Sequence, residues 1–126
     1  MFSRPTPKEI INKVSEALLA IKAGRFQTPL TKHLSGDLDE LQLDDAAALP
    51  ALLSDFLEEI KNAGPNDCYA GTRPPQRSYE PELQKLELFA YAWHSPSFRK
   101  RMYLKFGLKN QCYIHVDCHE DRGKNA

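Results

Sequence analysis

The side chains best suited to chemistry lie near the C-terminal end of this 126-residue sequence. They recur at every second position in two short segments: Arg101, Tyr103 and Lys105 in the first, and His115, Asp117 and His119 in the second. Alternate residues of a β-strand point to the same face of a sheet. Two strands with this pattern would therefore gather imidazole, phenol and cationic groups on one surface.

Such a surface would carry the groups that metal-independent cleavage of RNA requires. The 2′-hydroxyl must lose a proton and the leaving oxygen must gain one, while cations bear the charge of the phosphoryl group. Histidine is suited to the proton transfers because it titrates near neutral pH. The candidates are His115 and His119 for proton transfer, Arg101 and Lys105 for holding the phosphate, Tyr103 for orienting or assisting, and Asp117 for tuning a histidine.

Apolar residues in the same segments predict how the two strands pair. They alternate as Met102, Leu104, Phe106 and Leu108, and then as Cys112, Ile114, Val116 and Cys118. A three-residue loop over 109–111 would place all of them on one face. On the other face it would pair Lys105 with His115, Tyr103 with Asp117, and Arg101 with His119.

Two other interpretations of this polar surface remain open. The outer face of a half-exposed antiparallel sheet is ordinarily polar. The spacing of His115, Asp117 and His119 could also suit a metal, but alternate side chains of a strand lie about 7 Å apart, so an ion would need a further ligand such as His94.

The first half of the chain is predicted to be helical. Thr6-Pro7-Lys8-Glu9 forms a capping box with proline at the first helical position, which predicts a helix from about residue 7 to 23. A short helix or turn is expected over 34–43. Apolar residues at helical spacing predict a further helix that begins or kinks at Pro50 and ends at Gly64-Pro65.

A proline-rich stretch over about 62–81 has little periodicity and predicts a long loop. Long loops inside compact domains are often functional. Tyr69, Arg73, Arg77 and Tyr79 are suitable groups for gripping RNA. A second basic cluster, Arg99-Lys100-Arg101, is either a phosphate clamp or a solvated turn.

Composition predicts one globular domain over 1–126, with a helical half over about 6–62, the loop, and a sheet over about 86–120. Hydrophobic residues make up 41% and charged residues 27%, with 17 bases against 17 acids. No apolar run approaches the ~18 residues of a membrane span. The N-terminus resembles no secretory signal, and the three cysteines form no Cys-x-x-Cys motif, so we expect a cytoplasmic protein without a metal or other cofactor.

The order of these parts resembles the MqsR family of type II toxins. The segments that carry the resemblance are Lys22-Ala23-Gly24, Asp39 to Asp44, Ser54-Asp55-Phe56, Met102 to Lys105, and His119-Glu120. The family is one of mRNA interferases with a RelE-like fold. The resemblance therefore implies an α+β fold in which N-terminal helices pack on one face of a three-stranded antiparallel sheet. It also implies cleavage of mRNA without a metal, and silencing by a cognate antitoxin.

The resemblance also bears on single residues. Tyr103 falls where the family keeps a catalytic tyrosine, and His119 falls where a basic residue precedes the final glutamate. The family places a functional lysine directly after Asp-Phe, where this chain has Leu57-Glu58. Lys61 is a possible substitute in substrate binding, and the family's strand glutamine has no secure counterpart.

The function predicted from the sequence is that of an endoribonuclease that cleaves mRNA by acid–base catalysis. Arg101, Arg99, Arg73, Arg77 and Lys61 are the predicted substrate-binding residues. The main alternative is a non-enzymatic inhibitor or adaptor that binds a protein through the sheet face or the proline-rich loop, and the neutral charge favours it. A metal-dependent hydrolase is a third possibility.

Overall fold

The computed structural model of the protein describes residues 4–121. The first three residues and the last five lie outside the described residues. The prediction about a secretory signal rests in part on those first three. The helices are α1 (Pro7–Lys22), α2 (Thr31–Glu40), α3 (Leu49–Ala63) and α4 (Pro65–Cys68). The strands are β1 (Phe26–Gln27), β2 (Gln76–Arg77), β3 (Glu87–Ser95), β4 (Lys100–Lys109) and β5 (Cys112–Glu120).

The five strands form one mixed sheet in the order β1-β5-β4-β3-β2. β1 runs parallel to β5, and the other neighbours are antiparallel. The predicted α+β class is confirmed. The prediction of a three-stranded sheet is wrong, because the two-residue strands β1 and β2 extend the central three on either side.

The first helix begins as its capping box predicts. Thr6 Oγ1 accepts a hydrogen bond from the Glu9 amide at 3.1 Å, and Pro7 occupies the first turn. The Glu9 carboxylate binds the guanidinium of Arg4, which also binds Glu87 of β3. An arginine outside the predicted motif therefore ties the start of α1 to the sheet.

The remaining helices follow local signals as well. α2 is a ten-residue helix where a short helix or turn was expected, and a 3₁₀ turn over Ala46–Ala48 leads into α3. α3 has Pro50 in its first turn and ends at Gly64. The φ of Gly64 is 102°, a value that glycine adopts without steric strain. Among residues 4–121 no helix has the length and apolarity needed to cross a bilayer.

α1 and α3 pack on one side of the sheet, which we call the inner face. Its buried strand residues alternate along the strands and include Phe89, Tyr91, Trp93, Met102, Leu104, Phe106 and Cys118. Tyr91 also donates a hydrogen bond of 2.7 Å to the Ile10 carbonyl of α1. Hydrophobic burial and this bond hold the sheet against the helices.

The predicted proline-rich loop is partly structured. It contains α4 and β2 and then continues as residues 78–86, here called the covering segment, over the opposite side of the sheet, the outer face. Leu83 and Leu86 pack there on Leu88, Ile114 and Val116. The covering segment thus closes the outer face near the β4–β5 turn and leaves the other end open.

The predicted β4–β5 loop and pairing are wrong. The turn has two residues, Asn110 and Gln111, with φ of 52° and 63°, which matches the positive-φ turns that suit hairpins. A β-bulge follows, because Lys105 pairs with Asp117 whereas Phe106 pairs with His115.

The two-residue turn changes which β5 residues face outward. Ile114 and Val116, predicted on the helix side, contact the covering segment on the outer face. His115 points inward, with only 2% of its surface exposed. The physical reason is that the tight turn shifts the pairing by one residue, and the extra residue in β5 restores the predicted outward direction only from Asp117 onward.

Candidate polar site on the outer face

The open end of the outer face carries the candidate site. Its polar members come from β3, β4, β5 and the residue that follows β5. We call them the outer polar face: His94, Arg101, Tyr103, Lys105, Asp117, His119 and Asp121. Tyr103 lies between Ala92 and His119 on the neighbouring strands, and Lys105 lies between Ala90 and Asp117. The alanine side chains of β3, Ala90 and Ala92, are buried beside them.

Tyr103 and His119 form the centre of the outer polar face. Their rings stack with centroids 5.3 Å apart and planes 19° apart. His119 Nδ1 lies 2.9 Å from the Glu120 carbonyl oxygen, which can only accept, so Nδ1 carries a hydrogen. In the neutral imidazole the lone pair is therefore on Nε2, which gives His119 a defined basic atom.

The environment of Tyr103 favours the neutral phenol. Burial, followed by the negative charges of Asp117 and Asp121, raises its pKa to about 12. The Tyr103 hydroxyl is therefore a hydrogen-bond donor at neutral pH and not a base.

Two cations border the stacked pair. Lys105 Nζ lies 5.9 Å from the Tyr103 ring centroid, within the range of a cation–π contact. Arg101 Nε binds Asp121 Oδ2 at 2.8 Å, and its side chain is 60% exposed. Asp121 binds Arg101 through Nε, and a planar guanidinium group is suited to bidentate contacts with phosphate.

The turn before β4 is held from the helix side. Glu59 of α3 accepts hydrogen bonds from Trp93 Nε1 at 2.9 Å and from Ser95 Oγ and Ser97 Oγ at 2.7 Å. Burial alone would raise the pKa of the Glu59 carboxyl, but these hydrogen bonds outweigh it and hold the pKa below its ordinary value. The result is an ionised carboxylate that fixes the start of the strand carrying Arg101.

His115, a predicted catalytic residue, lies away from the outer polar face. Its Nε2 is 2.9 Å from Asp37 Oδ2 of α2, and both residues are buried. The predicted pairs Lys105–His115, Tyr103–Asp117 and Arg101–His119 are corrected to Lys105–Asp117 and Tyr103–His119. His115 therefore has no access to a ligand on the outer polar face.

The predicted loop arginines contact the protein's own backbone. Arg73 Nη1 donates to the Pro5 carbonyl at 3.0 Å, and its guanidinium lies 5.1 Å from the Tyr69 ring centroid. Arg77 Nη1 donates to the Lys85 carbonyl at 3.2 Å. In this conformation both guanidinium groups stabilise the fold of the loop.

Two further predicted binding residues are separated from one another. Lys61 is exposed on α3, on the inner side of the sheet. Arg99 is exposed in the turn before β4, where its φ of 58° is unusual for a residue with a side chain. Arg99 thus lies near the open end of the outer face, whereas the sheet stands between that face and Lys61.

The outer polar face does not assemble the metal ligands considered above. His115 points inward, whereas Asp117 and His119 point outward. Within residues 4–121 no group of three or more histidine, cysteine or acidic side chains is arranged to hold an ion. This arrangement gives the metal-dependent hydrolase no ligand set in the described part of the chain.

His94 was predicted only as a possible further metal ligand, and the structure places it exposed opposite Arg101. The inward alternation of Phe89, Tyr91 and Trp93 along β3 is the signal that predicts its outward direction. Asp37 was missed from the sequence and gave no such signal, because it is one acid among many in the region of α2.

No known protein family, curated protein or solved structure matches the chain significantly. The resemblance to the MqsR toxins therefore stays a prediction from the sequence.

Proposed function

We propose that this protein is a metal-independent endoribonuclease that cleaves mRNA on the outer polar face. The observation that carries the proposal is the stacking of Tyr103 on His119 at the open end of the sheet, with Lys105 and Arg101 beside them. These four residues supply a base, a neutral donor and two cations on one face of the sheet.

The chemistry follows from the protonation states of the site. His119 Nε2 takes the proton of the 2′-hydroxyl as the 2′-oxygen forms a bond to phosphorus. The bond from phosphorus to the 5′-oxygen breaks, and that oxygen takes a proton from the Tyr103 hydroxyl. Return of the proton from His119 to Tyr103 restores both groups, and the products are a 2′,3′-cyclic phosphate and a 5′-hydroxyl.

Lys105 and Arg101 bear the charge that develops on the phosphoryl oxygens, and such electrostatic stabilisation is a major part of catalysis. Asp117 is paired with Lys105 across the strands and lies beside this charge. The extended strand geometry keeps these groups on one side of the substrate.

In the cell, the protein acts in the cytoplasm as a toxin with a RelE-like arrangement. A cognate antitoxin protein silences it. This proposal is supported by the helices on the inner face and by the short sequence segments shared with the MqsR toxins. Expression of the chain should then arrest growth, and co-expression of the antitoxin should relieve the arrest.

The direct test is incubation of purified protein with single-stranded RNA in EDTA. We expect mapped cuts with 2′,3′-cyclic phosphate ends and no cut at a site carrying a 2′-deoxy nucleotide. His119→Ala should lower the rate by about 10²-fold or more, the usual contribution of an acid–base group. Tyr103→Phe should also slow cleavage, whereas Tyr113→Phe, which removes the hydroxyl of a buried core tyrosine, should not.

Folded His119→Ala and Tyr103→Phe variants that cleave as well as the parent would contradict the mechanism.

The second candidate function is a protein-binding module without catalysis. It is favoured by the internal contacts of Arg73 and Arg77 and by the zero formal charge, because phosphate contacts by lysine and arginine dominate affinity for nucleic acids. Intact RNA together with a stable protein partner would support it.

A further inference from the structure

The pairing of Tyr103 with His119 depends on one extra residue in β5. The turn sets Lys109 opposite Cys112, and uninterrupted pairing from there would bring Cys118 opposite Tyr103. His119 would then point away from Tyr103, since neighbouring residues of a strand face opposite sides. The bulge corrects this, because three residues of β5, 115–117, span two residues of β4.

One buried carboxylate binds both sides of this bulge. Asp37 Oδ2 accepts a hydrogen bond from the Cys118 amide at 2.9 Å and lies 2.9 Å from His115 Nε2. Asp37 is 5% exposed and His115 is 2% exposed, so both contacts are shielded from water. Hydrogen bonds to a shielded carboxylate are strong, and removal of the acceptor leaves buried donors unpaired.

The direction of the Cys118 amide shows how Asp37 acts. In an antiparallel ladder, alternate residues direct their N–H groups to the partner strand or away from it. Cys118 directs its N–H to α2, away from β4. Cys118 and Leu104 therefore form a non-hydrogen-bonded pair, in which the two Hα atoms approach each other. A shift of one residue would turn this N–H toward β4 and break its bond to Asp37.

We infer that Asp37 is a positioning residue of the outer polar face: its carboxylate fixes the β5 bulge and thereby sets His119 beside Tyr103. The effect of Asp37 on the β4–β5 register is independent of the function. Its effect on RNA cleavage rests on the proposed function. Asp37 acts from the buried side of the sheet and touches no substrate.

The test compares three variants of α2 by NMR and by RNA cleavage. Asp37→Asn keeps a carbonyl acceptor, Asp37→Leu removes it, and Asp39→Ala removes an exposed acid of the same helix as a matched control. The register readouts are the NOE between the Hα protons of Leu104 and Cys118 and the upfield shift of the His119 ring protons above Tyr103.

The parent, Asp37→Asn and Asp39→Ala should show both readouts. Asp37→Leu should lose both while keeping the β3–β4 NOEs, and its cleavage rate should fall by roughly 10²-fold, as misplacement of a catalytic group does. If Asp37→Leu does not fold, the double variant Asp37→Leu/His115→Phe takes its place, because apolar replacement of both members of a buried pair is often tolerated.

Two results would overturn the inference. One is absence of the Leu104–Cys118 NOE from the parent, and the other is its persistence with an unchanged His119 shift in the folded Leu variants. A third result separates the two proposals. If the parent shows the predicted register and Asp37→Leu loses it, but the parent does not cleave RNA, the proposed function is contradicted and the positioning role of Asp37 is retained.

Discussion

The Glu59 carboxylate of α3 and the Trp93 indole of β3 are joined by a hydrogen bond of 2.9 Å at the end of the sheet. Ser95 and Ser97 donate to the same carboxylate. The Phe98 amide in turn donates to Ser95 Oγ at 3.2 Å. One side chain on a helix thus organises the turn from which the site strand β4 begins.

Glu59→Ala should destabilise the protein by about 2–4 kcal/mol, because it leaves the buried donors of Trp93 and Ser95 without their acceptor. Glu58→Ala is the matched control, since its side chain is exposed on the same helix, and it should change stability by about 0.5 kcal/mol or less. Urea denaturation of the three proteins measures both changes. Equal stabilities of the two variants would contradict the role of Glu59.

The same carboxyl group should make stability depend on pH. Its pKa is lowered in the folded protein, so its ionised form contributes stability above the ordinary value of 4.5, and the contribution is lost as the pH falls through the folded pKa. The stability difference between the parent and Glu59→Gln should be constant near neutral pH and shrink below about pH 4.5. Denaturation curves from pH 7 to pH 3 measure it, and a difference that grows on acidification would be inconsistent with this sign.

Two buried tyrosines should respond in opposite ways to loss of the hydroxyl. Tyr91→Phe removes the bond to the Ile10 carbonyl and should cost about 1 kcal/mol. Within the described part of the chain Tyr113 Oη is buried without a hydrogen-bond partner, so Tyr113→Phe should be neutral or stabilising by about 1 kcal/mol. Chemical denaturation of both variants provides the comparison, and a larger loss for Tyr113→Phe would contradict it.

Gly107 should be required where the covering segment crosses β4. A Cβ atom there would lie 2.3 Å from Leu86 Cδ2 and 3.1 Å from the Glu87 carbonyl oxygen. Gly107→Ala should therefore cost about 1–3 kcal/mol, the usual cost of overpacking. Gly36→Ala is the control, because its Cβ would meet nothing within 4 Å and alanine favours a helix.

Adding Leu86→Ala to Gly107→Ala separates this contact from other effects. The double variant should lose less stability than the two single variants together, because the side chain that opposes the new methyl group is gone. Strictly additive losses in thermal or urea unfolding would show that the methyl group and Leu86 do not collide.

The phenol of Tyr103 should remain protonated well into the alkaline range. Burial raises its pKa to about 12, so the difference in absorbance at 295 nm between the parent and Tyr103→Phe should stay near zero up to about pH 11. Circular dichroism over the same range checks that both proteins stay folded. A difference signal that rises near pH 10 would mean that this phenol is not shielded.

The sequence predicts those parts of the fold whose causes are local. The start of α1 follows from Thr6 and Pro7, and the end of α3 follows from Gly64, because caps and breakers act within one turn of helix. The grouping of Arg101, Tyr103 and Lys105 on one face follows in the same way from their alternation along a single strand.

The relation between β4 and β5 has no such local cause. The bulge is bound by Asp37, which lies 78 residues before His115 in the sequence. Alternation continued through Val116 therefore assigns His115 to the wrong face. His119 escapes this error because it comes after the bulge, where the inserted residue restores its outward direction.

The acids of α2 also determine how other chains can approach the sheet. Asp37 and Glu40 accept the amide hydrogens that Cys118 and Glu120 direct away from β4. A peptide that added itself as a new strand along this border would have to displace both carboxylates and lift the helix. Association by strand addition is therefore disfavoured along this part of β5.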